Sequence, residues 1–238
     1  MSRSTQNRRA RRTNRIATVD RRRSLLKWNG KAHNAAFLAE GVDLRPYQVE
    51  AANWVIARKG DLCIIAPTGS GKSLVWALPL LEQKDGISLV IVPFTSLGHQ
   101  GELRRYGGTA IDSHFLYSEN KKTELLEKIG KAVGKQIVYI CPEMLETPSM
   151  ARVLHSPTFR ARLSAIYLDE AHIPHESKTW RPAYTHLHLL RHVCDLKDIP
   201  MVALSATLPT VYRNSLVTLS VSVRQGTLEI RCLEVVGP

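Results

Sequence analysis

Ala66-Pro67-Thr68-Gly69-Ser70-Gly71-Lys72-Ser73 has the residue types and spacing of a loop that cradles phosphate. The loop follows an apolar run and opens a helical pattern, which is the context such a loop requires. Gly69 and Gly71 let backbone N–H groups approach an anion closely, and a helix N-terminus adds a favourable dipole. Thr68 through Ser73 are therefore expected to hold the phosphates of a nucleotide. Lys72 is placed to reach the β- and γ-phosphates, and the Ser73 hydroxyl to meet Mg2+. The loop opens with Ala66 where the stricter pattern has Gly. The bland alternative is a Gly-rich turn formed by chance, and the flanking strand and helix patterns count against it.

About 100 residues on, Ile166-Tyr167-Leu168-Asp169-Glu170-Ala171-His172 sets two acids at the end of an apolar run. The carboxyl ends of strands are where open α/β sheets bind ligands. Asp169 there suits Mg2+, held through water. Glu170 suits polarisation of an attacking water as general base. An acidic pair alone is more often solvated surface; following a phosphate loop in the same alternating pattern, it reads as catalytic. His172 reads either as a link between nucleotide and movement or as a polar loop residue.

Such residues meet only if several strands end side by side. Short apolar runs at Leu62–Ala66, Ser88–Val92, Ile111–Tyr117, Ile137–Ile140, Ala165–Leu168 and Met201–Leu204 alternate with helical patterns. The helical stretches are Tyr47–Arg58, one from about Lys72, one after Thr95, Lys121–Val133, and one from about Ala183. This alternation predicts an α/β domain, a mainly parallel sheet with helices on both faces. The stretch 211–238 has β-like composition in two places and no legible motif.

Charge is unevenly spread. The net formal charge is +12, but residues 1–27 hold ten Arg and Lys against Asp20 alone. That tail is expected to be disordered. It reads as a nuclear-import signal, a phosphate-backbone contact, an Arg-rich mitochondrial presequence or a solvated tail. Cys63, Cys141, Cys194 and Cys232 are far apart with no C-x-x-C, which argues against zinc or a disulfide framework and fits a reducing compartment. No run approaches the ~20 apolar residues of a membrane span, and the start has no apolar signal region.

Taken together, five segments over about residues 44–209 resemble a superfamily 2 helicase, and the RecQ family in particular. Leu44-Arg45-Pro46-Tyr47-Gln48 looks like the segment upstream of the phosphate loop; by that resemblance Gln48 recognises adenine and Arg45 assists. Ala66–Ser73, with Leu74 to Pro79, resembles P-T-G-x-G-K-S-L and the P-L beyond it. The stretch from Ile91 through Pro93, Thr95, Ser96 and Gln100 is similar to a motif that contacts the DNA backbone. Val138–Glu143, with Pro142 and Glu143, matches Y-x-x-P-E on the same nucleic-acid face. Asp169–His172 is the D-E-A-H box, and Trp180-Arg181-Pro182-Ala183-Tyr184 resembles the end of the aromatic-rich loop that comes after it. Trp180 reads as a base-stacking residue, worth ~1–3 kcal/mol per base, or equally as core. Ser205-Ala206-Thr207 resembles the motif that couples hydrolysis to strand movement, through Ser205, Thr207 and His172.

The resemblance implies a RecA-like P-loop domain over 28–210. It implies binding of Mg-ATP and of single-stranded or forked DNA, with 3′–5′ unwinding in the nucleus; a mitochondrial site is the lesser alternative. It departs in places. The aromatic loop is one residue short, and Pro174-His175-Glu176-Ser177 stands where a Trp is expected. Nothing after Thr207 resembles the second RecA-like domain, which in the family supplies an arginine finger worth ~10³–10⁵ in rate in related phosphoryl transfer. That partner is expected in cis or in trans, and the chain is expected to be a fragment or a degenerate copy. Other readings are an incomplete nucleotide- and nucleic-acid-binding module, or an RNA-directed D-E-A-H motor. A P-loop kinase or transporter ATPase accounts for fewer of the segments.

Overall fold

Runs of four to six residues rich in Ile, Val and Leu are too short for stable helices but long enough to cross a domain as strands. In the computed structural model they do so. It describes residues 20–93, 109–117, 123–131, 133–173, 183, 187, 190, 196, 198–209, 212 and 231–235. The strands are β1 (Leu62–Ile65), β2 (Gly86–Ile91), β3 (Ile111–Leu116), β4 (Lys135–Ile140), β5 (Leu163–Leu168), β6 (Met201–Ser205) and β7 (Arg231–Glu234). They form one sheet in the order β3-β4-β2-β5-β6-β1-β7, and every pairing is parallel.

A parallel sheet must be covered on both faces, so its central strands are buried along their whole length, as β2 and β5 are. Alternate residues feed two cores. Ile87, Leu89, Ile91, Ile166 and Leu168 face one, with Phe159, Met150 and Leu154. Val90, Tyr139, Tyr167, Ile64 and Leu204 face the other, with Val75 and Trp76. The helices are α1 (20–34), α2 (Pro46–Ile56), α3 (Leu74–Ala77), α4 (Thr123–Lys131), α5 (Pro148–His155) and α6 (Pro157–Arg162).

The helix expected from about Lys72 is shorter than its pattern. Leu74 N donates to Gly71 O at 3.1 Å and Val75 N to Lys72 O at 3.0 Å, a tightened first turn. After Ala77 the chain passes into a 3-10 segment, Leu78–Glu82, because Pro79 has no N–H to donate. The Trp76 carbonyl is met instead by the Ser88 hydroxyl at 2.6 Å, which explains a polar residue in a fully buried strand.

The basic segment expected to be disordered over 1–27 is helical in its last eight residues. Leu25, Trp28 and Ala32 make an apolar stripe that packs on Val49, Ala52 and Leu78. Glu82 then ion-pairs with Lys31, and with Lys27 at 3.7 Å. Residues 1–19 lie outside the described residues, as do the helices expected after Thr95 and from about Ala183, apart from scattered positions. The boundary drawn at 210 also changes. β7 pairs with β1, and Val235 N donates to Ile65 O at 2.8 Å, so residues 231–235 complete the same sheet.

Candidate nucleotide site

Three strand ends meet here because β5, β6 and β1 are neighbours in the sheet. Their backbones are joined beyond the strands: Ala66 N donates to Ser205 O at 3.0 Å, and Ala171 N to Leu204 O at 2.8 Å. Asp169 N donates to Ile91 O at 3.0 Å, which ties the acidic box to the end of β2. The phosphate loop, the acidic box and the Ser205–Thr207 segment are thus brought together at the carboxyl ends of three adjacent strands, although they are far apart in the chain.

In the loop, Gly69 and Gly71 have φ of +77° and +82°, a region that L side chains rarely enter. Lys72 Nζ donates to Ala66 O at 2.9 Å and to Pro67 O at 3.2 Å, so the ammonium is held over its own loop. Thr68 and Gly69 are exposed, Lys72 and Ser73 are half-buried, and Ser70 is buried. The oxygen donors of Ser73 and Asp169 suit a hard cation such as Mg2+.

The loop is braced from α2. Gln48 is only 2% exposed. Its Oε1 accepts from Arg45 N at 2.7 Å, closing the helix start, and its Nε2 donates to Gly71 O at 2.9 Å. A helix-start Gln in the open is therefore not what the fold contains. Arg45 is exposed beside it. Tyr47, which the sequence did not single out, donates its hydroxyl to Ser70 O at 3.0 Å. Burial pushes its pKa up, partly offset by hydrogen bonds to Ser70 and Gln48. Only the apolar spacing of Tyr47, Ala51 and Val55, all buried in one core, could have marked it.

The acidic box carries backbone strain. Glu170 has φ of +49°, unusual for a residue with a side chain. It is held by Glu170 N donating to Asp169 Oδ1 at 3.1 Å and by Ile173 N donating to Glu170 O at 2.9 Å. Strain of this kind costs about 1–3 kcal/mol and collects at functional sites.

His172 joins the box to the next strand. The Ser205 hydroxyl donates its one proton to Thr207 O at 2.6 Å. It can then only accept from His172 Nδ1 at 2.9 Å, which fixes the proton on that nitrogen. The same nitrogen lies 3.4 Å from Glu170 Oε2. Thr207 N returns a bond to Ser205 Oγ at 3.3 Å. So Glu170, His172, Ser205 and Thr207 form one connected chain.

On the expected nucleic-acid face, Val92 N donates to Ile140 O at 2.9 Å, which joins the ends of β2 and β4 just before Pro93 and Cys141. Pro93 and Pro142 are buried and Glu143 is half-buried. Thr95, Ser96, Gln100, Trp180 and Arg181 lie outside the described residues.

A parallel sheet whose β1 ends in a phosphate loop and whose β5 ends in an acidic box is a RecA-like P-loop domain. The DEAD/DEAH box helicase family matches residues 45–215, and the chain belongs to that family. Its relatives include the ATP-dependent DNA helicase hus2/rqh1 of Schizosaccharomyces pombe, 34% identical over 182 residues, 73% of this chain and 13% of that protein. The ATP-dependent DNA helicase RecQ of Synechocystis is 32% identical over 71% of this chain and 36% of its own length. The ATP-dependent DNA helicase Q1 of Rattus norvegicus is 30% identical over 76% and 29%. The likeness to RecQ helicases thus runs over most of this chain, and the chain spans about an eighth to a third of these relatives. A crystal structure of the DUF1998 helicase MrfA bound to DNA and AMPPNP shares the fold, with a TM-score of 0.60 at 19% identity over 85% of this chain and 28% of that one.

Proposed function

We propose that this chain is the ATP-binding half of a RecQ-type, ATP-dependent 3′–5′ DNA helicase. The observation that carries this is the connected chain Glu170–His172–Ser205–Thr207 beside the phosphate loop. It joins the group suited to activate water to the segment that couples hydrolysis to movement in the resembling family.

Phosphates would lie on the backbone amides from Thr68 to Ser73. Lys72 would exchange the Ala66 and Pro67 carbonyls for phosphate oxygens. Ser73 and Asp169 would hold Mg2+, which when bound screens the phosphate charge. Glu170 would accept a proton from the attacking water. Gln48 would meet adenine through the lone pair left on its Oε1 and by exchanging its longer Nε2 bond, to Ser70 O at 3.5 Å, with Arg45 beside it. Single-stranded or forked DNA would pass over Pro93–Gln100 and Pro142–Glu143, with Trp180 and Arg181 as further contacts. A second RecA-like domain, in cis or in trans, would close on the nucleotide, and the protein would work in the nucleus.

The test is nucleotide binding and turnover with and without single-stranded DNA. Lys72→Ala should abolish binding of Mg-ATP. Glu170→Gln should bind it and remove any DNA-stimulated turnover. Stimulation by RNA and not DNA, on a protein holding both motor domains, would favour the RNA-directed reading.

A further inference from the structure

β7 is the edge strand, and its Cys232 stands opposite Cys63 of β1 in the parallel register. Opposed residues on neighbouring strands point to the same face of the sheet. The packing agrees with this. Cys63 belongs to the core on one face, whereas its neighbour Ile64 and the edge residue Leu233 belong to the core on the other. Adjacent strands run about 4.8 Å apart, inside the ~4.4–6.8 Å between Cα atoms that a disulfide spans. Cys232 is exposed, Cys63 is buried, and neither is joined in a disulfide. One sulfur is open to a reagent and the other waits beside it under cover.

We propose that Cys232 and Cys63 form a disulfide-exchange site whose oxidant is a small-molecule disulfide such as oxidised glutathione. Cys232, having lost its proton, attacks one glutathione sulfur. An S–S bond forms to Cys232 as the glutathione S–S bond breaks, and one glutathione leaves as thiolate. Cys63 then loses its proton and attacks the Cys232 sulfur, expelling the second glutathione. Two protein thiols are oxidised by two electrons, one glutathione disulfide is reduced to two thiols, and the two protons end on those thiols. Exposure sets the order, because only Cys232 is accessible at the start.

The bond is reversible because its Cys232 sulfur is exposed: a thiolate that attacks it reopens the pair, and exposed disulfides are the labile ones. When formed, it staples the edge strand to the strand that runs into the phosphate loop. None of this depends on the nucleotide reading.

The test is to incubate the folded chain with oxidised glutathione, alkylate the remaining thiols and map the peptides by mass spectrometry. The proposal expects two thiols lost together, a Cys63–Cys232 peptide, and recovery of both thiols with dithiothreitol. Cys63→Ala, which keeps a small apolar group in the core, should stop at one glutathione on Cys232. The wild-type peptide map decides the matter if that variant does not fold. A glutathione that stays on Cys232 in the wild-type chain would overturn the proposal. So would a link from Cys232 to Cys141 or Cys194, or no reaction at Cys232.

Discussion

At Gly71, an added methyl group would lie 2.6 Å from Gln48 Nε2, on a residue whose φ is +82°. Gly71→Ala therefore meets strain and a clash against a buried side chain. It should cost about 1–3 kcal/mol of stability and lower nucleotide affinity at least about tenfold, about 1.4 kcal/mol. Calorimetric titration with a non-hydrolysable nucleotide and a thermal melt would measure both. Gly60→Ala is the control: φ there is +109° but nothing lies within 4 Å, so stability should fall while affinity holds. Ser205→Ala removes the acceptor of His172 Nδ1 and the hydroxyl that bonds both Thr207 O and Thr207 N. Ser205 is fully buried, so the loss should be about 1–3 kcal/mol in a urea melt. Residue types at the site were legible because chemistry demands them: an ammonium on a glycine loop, two acids at a strand end. The left-handed Glu170 and the Tyr47 and Gln48 brace were not. They depend on how α2 and β6 pack against loops distant in sequence.

Trp76 shows what an element adds. Its indole Nε1 donates to the Tyr139 hydroxyl at 3.1 Å, and its ring meets Tyr139 and Tyr167 edge-on at 6.2 and 6.3 Å. One side chain of α3 thereby holds the loop-bearing segment against the strands that run to Pro142 and to Asp169. Trp76→Ala should cost about 3–5 kcal/mol. Ser88→Ala strands the Trp76 carbonyl and should cost about 1–3 kcal/mol; urea melts check both. α1 is tied down more lightly. The bond from Lys31 is the main cause that holds the Glu82 carboxyl below its ordinary 4.5, and burial is the cause that opposes it. A lowered folded value means the stabilisation is present above the ordinary pKa and is lost as pH falls through the lowered one. Glu82→Gln should therefore cost up to about 1 kcal/mol at pH 7. That difference should shrink below pH 4.5 and vanish in more acidic melts. Strands were legible because their apolar runs are short and bounded. α1 was hidden by its charge, although Leu25, Trp28 and Ala32 carry the helical spacing. α5 and α6 were hidden in a polar stretch, where Thr147-Pro148 and Ser156-Pro157 were the start signals, with Thr147 Oγ1 accepting from Met150 N at 3.3 Å.

Across the whole molecule, motif order and strand order differ, and the site exists because of the difference. The loop after β1, the box after β5 and the segment after β6 are far apart in the chain, yet β5, β6 and β1 lie side by side. Alternation of strand and helix predicts parallel pairing; it does not say which strands are neighbours, and the β-like composition within 211–238 did not say that residues 231–234 close the edge against β1. The central claim is that the carboxyl ends of β1, β5 and β6 bind a nucleoside triphosphate through Lys72 and leave its hydrolysis to Glu170. The most direct measurement is Mg-ATP affinity and turnover on this chain, with and without single-stranded DNA, for the wild type, Lys72→Ala and Glu170→Gln. The account predicts binding in the wild type and in Glu170→Gln, its loss in Lys72→Ala, and no DNA-stimulated turnover in Glu170→Gln. A wild-type chain that binds no Mg-ATP, or a Lys72→Ala chain that binds it equally well, would contradict the account.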